Sequence, residues 1–309
     1  MHQHTIERWQ QDHDFVIVNK RGEKRTRYVL LLTAVTMLAE IIAGLAFGSM
    51  ALLADGWHMA THVAAFLITL FAYHYATKHA NNPAFAFGTG KVSVLGGFTS
   101  AVALGVVAVL MVFESAERLV NPHDIQLNAA IAVAFLGLGV NIISAVLLKD
   151  HHHSHGEHEQ HHDHNLKAAY VHVLADALTS VLAIVALIAA KLAGLTWLDP
   201  VMGVVGALII TAWAVGLIRE TSPILLDGSI DADYQQAIQQ RIEQDADNRI
   251  ADFHIWHISP HHYAAIITIV TAEPEPTAYY KQLLADFERL SHITIEVHRC
   301  EDEHCQHAG

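Results

Sequence analysis

The sequence predicts an all-α membrane domain of six transmembrane helices, followed by a small C-terminal cytoplasmic α+β domain. Six apolar stretches fill the first two-thirds of the 309 residues, whereas the last third is polar and contains strand-like alternation. The average composition, 52% hydrophobic, conceals this division. A net charge of -13, with only 18 Lys and Arg, argues against a nucleic-acid partner.

The transmembrane domain is predicted over residues 26–222, after a polar tail at residues 1–25 that ends in basic residues. A spanning helix needs ~20 mostly apolar residues. Spans are expected at about 28–48, 52–76, 92–114, 126–148, 168–190 and 200–218. Lys and Arg near the span ends collect on the side of the N-terminal tail, which predicts an integral membrane protein with both termini in the cytoplasm.

Residues 223–309 are predicted to form the cytoplasmic domain and its tail. The predicted elements are, in order, a helix over 233–245, strands over 252–258 and 263–270, a helix over 277–290 and a strand over 292–298. The order α-β-β-α-β favours a ferredoxin-like sheet backed by two helices. At roughly 80 residues such a domain is marginal alone, so burial against a partner would stabilise it.

Two predicted spans carry pairs of metal-type ligands one helical turn apart. His58 and His62 lie in the second span, and His172 and Asp176 lie in the fifth. Residues four apart share a helix face, and an ionisable group within a bilayer is costly enough to indicate function. Three imidazoles and one carboxylate suit a tetrahedral divalent ion. The alternative is that these groups satisfy one another between helices without an ion.

Two further acidic residues lie in the predicted spans. Asp55 precedes His58 by three residues, on the same helical face. It is a possible added ligand, an acceptor for an imidazole N–H, part of an entry path, or a structural hydrogen-bonding group. Glu40 in the first span is interpreted as an interhelical hydrogen-bonding residue, with a proton relay as the alternative.

The full sequence has 25 histidines, and most of them lie outside the predicted spans. The low-complexity cytoplasmic loop at 149–165 is interpreted either as a weak metal collector or as a solvated linker. Its histidines are His151, His152, His153, His155, His158, His161, His162 and His164. In the C-terminal domain, His254, His257 and His298 are candidate ligands of a cytoplasmic metal site, and surface histidines without a fixed ion are the alternative.

The chemistry of the four intramembrane ligands predicts exchange of metal for protons. Only neutral imidazole and ionised carboxylate bind metal, so metal binding should expel protons and protonation should expel metal. No Walker motif and no resident cofactor are expected. The absence of thiolates disfavours monovalent copper, and a single carboxylate is poor for magnesium or calcium. These ligands do not decide among zinc, cobalt and nickel.

Two other function classes compete with transport. An intramembrane metalloenzyme would need a catalytic Glu beside its ligands, as in HExxH, and the stretch from His58 to His62 has none. The chain is therefore not expected to be an enzyme. A metal-sensing or storage membrane protein, in which the loop and tail bind metal and the spans only anchor, remains an alternative to transport.

Several stretches together resemble the cation diffusion facilitator family of metal transporters. They are Gly48–Asp55, Phe87–Val92, His172–Leu178, Leu198–Pro200, Glu220–Gly228, and parts of the tail from Asp252 and from Ile293. The resemblance implies a homodimer of six-span subunits that exchanges a divalent cation for protons across a bacterial inner membrane. It also implies a transport site at His58, His62, His172 and Asp176, and a metal-sensing, dimerising role for 223–309.

One position departs from the common family pattern. In most zinc-transporting members of the family that this chain resembles, the position of His62 is occupied by Asp. The stretch around His62 and the loop Phe87–Val92 are similar instead to the branch associated with cobalt and nickel export. The resemblance therefore implies proton-coupled efflux of Co²⁺, Ni²⁺ or Zn²⁺, with zinc-specific export as the alternative.

Overall fold

A computed structural model describes residues 23–79, 82–149, 162–228 and 230–301 of the chain. The chain divides into two compact units. The first consists of Val18–Thr69 and Thr99–Ile218 and contains most of the apolar helices. The second is built mainly from Leu70–Phe98 and the chain from Arg219 onward, and it contains the sheet.

Six long helices account for the six predicted spans. They are α1 (Glu23–Phe47), α2 (Met50–His79), α3 (Val92–Val120), α4 (Leu127–Lys149), α5 (His162–Ala193) and α6 (Leu198–Leu225). Each predicted span coincides with one helix, and the ends of span and helix differ by at most seven residues. Five of the six helices are longer than their spans because their polar ends continue the helical hydrogen bonding past the apolar stretch.

Three of these helices are long and apolar enough to cross a membrane, judged over the residues that the structure describes. The qualifying segments are Leu30–Phe47 of α1, Val92–Val120 and Leu198–Leu225. In α4 and α5 the described side chains cover only part of each helix, and the apolar segments within them are Leu127–Ile143 and Ala177–Ala193. The helical membrane-type domain is therefore confirmed, while the number of six crossings stays a prediction.

Small residues let the helices approach closely. A Cβ added at Gly44 of α1 would lie 2.9 Å from the backbone nitrogen of Leu53 in α2. A Cβ added at Gly203 of α6 would lie 2.9 Å from Cβ of Met50. Without a hydrophobic driving force between helices in lipid, such backbone approach is a main source of helix association. α2 is thus held between α1 and α6 by contacts that larger residues would break.

The C-terminal domain has the predicted element order. It consists of α7 (Ala232–Glu243), β1 (Arg249–Ser259), β2 (His262–Thr271), α8 (Thr277–Leu283) and β3 (Leu290–Arg299). β1 pairs antiparallel with β2, and β2 pairs parallel with β3. This three-stranded mixed sheet is the only sheet among the described residues. In a ferredoxin-like fold a further strand would lie between the parallel strands β2 and β3, whereas here these two strands pair directly.

The predicted helix over 277–290 is wrong in its second half. α8 ends at Leu283, and β3 begins at Leu290, which pairs with Tyr263 of β2. The apolar spacing of this stretch continues, but Leu284 and Leu290 are buried in the core beneath the sheet rather than along one helix. Sheet pairing therefore overrides the local helical pattern.

The loop before α3 packs within the sheet-containing unit. The ring of Phe87 lies edge-on to that of Trp256 in β1, with centroids 5.9 Å apart. Lys91 forms a salt bridge with Asp227, which follows α6. Gly90 lies so close to β1 that an added Cβ would be 2.6 Å from the carbonyl oxygen of Ile258. The loop is thus part of this unit rather than a free linker.

Candidate metal-transport site

The helix that carries His58 has its first turn fixed by an acidic side chain from another helix. Asp199 of α6 is fully buried and accepts hydrogen bonds from the hydroxyl of Ser49 at 2.6 Å, from N–H of Met50 at 2.7 Å and from N–H of Ala51 at 3.1 Å. The first N–H groups of a helix have no partner within it, so Asp199 supplies acceptors that α2 lacks. This contact sets the register of α2 relative to α6.

His58 lies inside the bundle, one and a half turns further along α2. Only 4% of the residue is exposed. Its ring meets the indole of Trp213 in α6 edge-on, with centroids 6.0 Å apart. The aromatic contact orients the imidazole, as a ligand that binds and releases an ion would require.

Asp55 is anchored to α5 by two hydroxyl groups. Thr179 donates to one carboxylate oxygen at 3.0 Å, and Ser180 donates to the other at 2.5 Å. The amide of Asn141 in α4 donates in turn to the hydroxyl of Ser180 at 3.2 Å. Because Asp55 is 3% exposed, these bonds replace the water that its carboxylate gives up. Of the roles open to Asp55, this arrangement favours a hydrogen-bonding anchor between α2 and α5.

A small cavity adjoins Asp55 and His58. Its volume is about 30 Å³, and it lies among α2, α5 and α6. Thr179 and Met202 also line it, together with small and aliphatic side chains. A cavity of about this size holds one or two waters, and therefore also a dehydrated metal ion. The polar groups and the space thus occur together at one level of the helices.

The other three predicted ligands are placed only by their helices. His62 lies in α2, one turn after His58, and His172 and Asp176 lie one turn apart in α5, which also supplies Thr179. Their side chains lie outside the part of the structure that is described. Among the described side chains, no group of three or more His, Cys, Asp or Glu forms a metal site. The four-ligand site therefore stays a prediction.

The histidines of the loop fall outside the described side chains. His151, His152, His153, His155, His158 and His161 are not described at all, and His162 and His164 are described only as the first turn of α5. Their interpretation as a metal collector is left as a prediction.

The predicted cytoplasmic ligands have separate partners. His254 is exposed on β1 and lies 3.0 Å from a carboxylate oxygen of Asp252. His298 on β3 lies 3.9 Å from Glu296. Among the described residues, these side chains join no group of three potential ligands. Whether they hold an ion therefore stays a prediction.

His257 is different, because it belongs to a half-buried cluster at the turn between β1 and β2. Its ring lies 4.7 Å from that of Tyr263, and its Nδ1 is 3.3 Å from the carbonyl oxygen of Ser259. The hydroxyl of Ser259 is 2.7 Å from Nδ1 of His262. Burial lowers the pKa of both His257 and His262, and for His257 the nearby charges of Lys91 and Arg289 add to this effect.

Sequence reasoning assigned no individual role to three residues that the structure connects to the site. Ser180 and Asn141 complete the Asp55 network, and Asp199 fixes the start of α2. The available signal was small polar residues within otherwise apolar helices. Such residues commonly bond across helices in lipid, but their partners depend on how the helices are rotated.

Comparison with known proteins gives matches over most of the chain. A family model described as the cation efflux transmembrane domain matches residues 26–226. The zinc transporter ZitB of Pectobacterium atrosepticum is 30% identical over 291 residues, which is 92% of this chain and 88% of the relative. The metal cation efflux system protein CzcD of Cupriavidus metallidurans is 29% identical, over 89% of this chain and 86% of the relative. A cadmium, cobalt and zinc/H(+)-K(+) antiporter of Bacillus subtilis is 26% identical, over 90% and 91%.

Proposed function

The chain belongs to the cation diffusion facilitator family of divalent metal transporters, and on that premise we propose that it exports Co²⁺, Ni²⁺ or Zn²⁺ from the cytoplasm in exchange for protons. It would do so as a homodimer in a bacterial inner membrane, with six crossings per subunit and cytoplasmic termini. The observation that carries the proposal is the buried pair Asp55 and His58 beside a cavity of about 30 Å³ among α2, α5 and α6.

The proposed cycle needs only the acid–base chemistry of the ligands. His58, His62, His172 and Asp176 would bind the ion with neutral imidazoles and an ionised carboxylate. Protons arriving from the outer side would compete for the same lone pairs and release the metal. The anchored Asp55 would hold α2 against α5 while the ligand pairs on these helices close around the ion or separate.

The choice of metal rests on His62. An imidazole at this position makes the predicted set three nitrogens and one carboxylate, which cobalt, nickel and zinc all accept. Relatives are named for zinc, and for cadmium, cobalt and zinc. We expect His62→Asp to shift the preference toward zinc, and competition among the three metals before and after the substitution measures this shift. An unchanged ranking would place selectivity elsewhere.

Transport by purified protein tests the proposal directly. Proteoliposomes with a pH-sensitive dye inside would be given each metal under an imposed proton gradient. We expect uptake of metal coupled to proton release, and loss of both in His172→Ala and Asp176→Ala. His79→Ala is the matched control, since His79 is also on α2 but stacks on Tyr75 at its last turn. Wild-type flux in the two site variants would remove the site assignment, and metal binding without flux would favour a sensor or storage protein.

A further inference from the structure

Glu40 is a fully buried carboxyl group in the middle of α1. Its exposed fraction is 0%, and neither of its side-chain oxygens has a hydrogen-bond partner. Thr36, one turn earlier, donates to the carbonyl oxygen of Leu32 rather than to Glu40. The expected interhelical hydrogen bond is therefore absent in this conformation, at least for the described residues.

Two glycines make the space that Glu40 occupies. A Cβ added at Gly137 of α4 would overlap a carboxyl oxygen of Glu40, and one added at Gly56 of α2 would lie 3.2 Å from Cβ of Glu40. Between Leu127 and Leu148, α4 contains no ionisable residue. From α2, the charge of Asp55 acts on Glu40, and this carboxylate already accepts two hydroxyl hydrogen bonds. No positive side chain among the described residues pairs with Glu40.

An ionised Glu40 carboxylate would be strongly destabilised in this environment. An ionised carboxylate without a partner in a protein interior loses several kcal/mol relative to water, and such groups become neutral instead. A carboxyl group that fits without polar partners is therefore a carboxylic acid with its proton on. Retaining a Glu here rather than Gln or Leu makes sense if the proton is released in another conformation.

We propose that Glu40 is a proton-binding site separate from the metal ligands, which holds a proton in the conformation described here and releases it to water when α1, α2 and α4 separate. The proposal rests on the proposed proton-coupled transport. It adds one proton per cycle to those exchanged at the histidines. No bond other than O–H forms or breaks, and the proton is taken up from and returned to water on opposite sides of the membrane.

The protonation state can be measured without transport. Infrared spectra of the full-length protein in lipid at pH 7.5 would be compared for wild type, Glu40→Gln and Glu117→Gln. We expect a carbonyl band of a protonated carboxylic acid that is lost in Glu40→Gln and kept in Glu117→Gln, whose carboxylate is exposed on α3. If Glu40→Gln does not fold, Glu40→Asp serves instead, because the shorter acid should shift the band. A spectrum that is the same for wild type and the Glu40 variant would overturn the proposal.

Coupling is then tested with the same proteins in proteoliposomes. Metal–metal exchange needs no net proton movement, so we expect Glu40→Gln to keep metal–metal exchange at the wild-type rate and to lower the number of protons exchanged per metal ion by one. A proton-to-metal ratio equal to that of wild type would contradict a coupling role. Loss of metal–metal exchange would also contradict it, because a group that only carries a proton is not needed for exchange. If wild type itself shows no metal uptake, the proposed function fails, while the infrared result stands by itself.

Discussion

Asp199 and Asp231 both supply acceptors to the start of a helix, but one does so inside the helical unit and the other at the surface of the sheet-containing unit. Asp199 is fully buried and bonds two N–H groups and a hydroxyl of another helix. Asp231 is exposed and accepts one hydrogen bond from N–H of Asp233 in its own helix. The same residue type thus joins two elements in one region and finishes a single element in the other.

The contrast extends to the whole of each region. The apolar helices bury Glu40, Asp55 and His58 and expose large aliphatic and aromatic side chains, whereas the sheet domain buries isoleucines such as Ile267 and exposes His254. Lipid solvates apolar surface but offers no hydrogen-bond partner to a polar group, so polar groups face the interior of the helical unit. A histidine or carboxylate between the helices therefore indicates function more strongly than one on the sheet.

The largest expected effect is the difference in stability between variants of the two aspartates. Asp199→Ala leaves two N–H groups and a hydroxyl buried without acceptors, which should cost about 3–5 kcal/mol, as for other broken buried networks. Asp231→Ala removes an exposed cap and should cost about 1 kcal/mol. Thermal unfolding of the two purified variants beside wild type measures the difference. Equal losses would mean that the buried contact contributes no more than an ordinary cap.

A second comparison concerns two glycines two residues apart on α4. Gly137→Ala should push against the carboxyl group of Glu40 and cost about 1–3 kcal/mol, as overpacking usually does. Gly139→Ala is the matched control, because an added Cβ there meets nothing within 4 Å, and helix propensity makes it neutral or slightly favourable. The thermal stability of both variants shows the difference. A stable Gly137→Ala would mean that the space around Glu40 is looser than the structure shows.

Sequence patterns located the elements better than the contacts between them. Apolar stretches located all six helices, with end errors of up to seven residues, because burial and lipid contact depend on composition along the chain. The hydrogen bonds from Thr179 and Ser180 to Asp55, and the lack of a partner for Glu40, depend on how each helix is rotated against its neighbours. No local pattern contains that information. The same limit explains the predicted helix over 277–290, where pairing of Leu290 with Tyr263 overrides the spacing.

The smallest expected effect belongs to the half-buried histidines of the sheet domain. Burial lowers the pKa of His257 and His262 below the ordinary 6.5, so the folded domain favours neutral imidazoles. Well above pH 6.5 these imidazoles are neutral in both states and stability does not depend on them, but as the pH falls through 6.5 the unfolded chain binds protons first and stability decreases. In the full chain, the NMR resonances of both histidines should titrate below pH 6.5. His262→Gln should also reduce the loss of thermal stability between pH 7.5 and 5.5. His254→Gln, at an exposed position, is the control. Midpoints at or above 6.5 would show that these rings are as solvated as surface histidines, and the comparison with the groups buried between the helices would then lose both histidines.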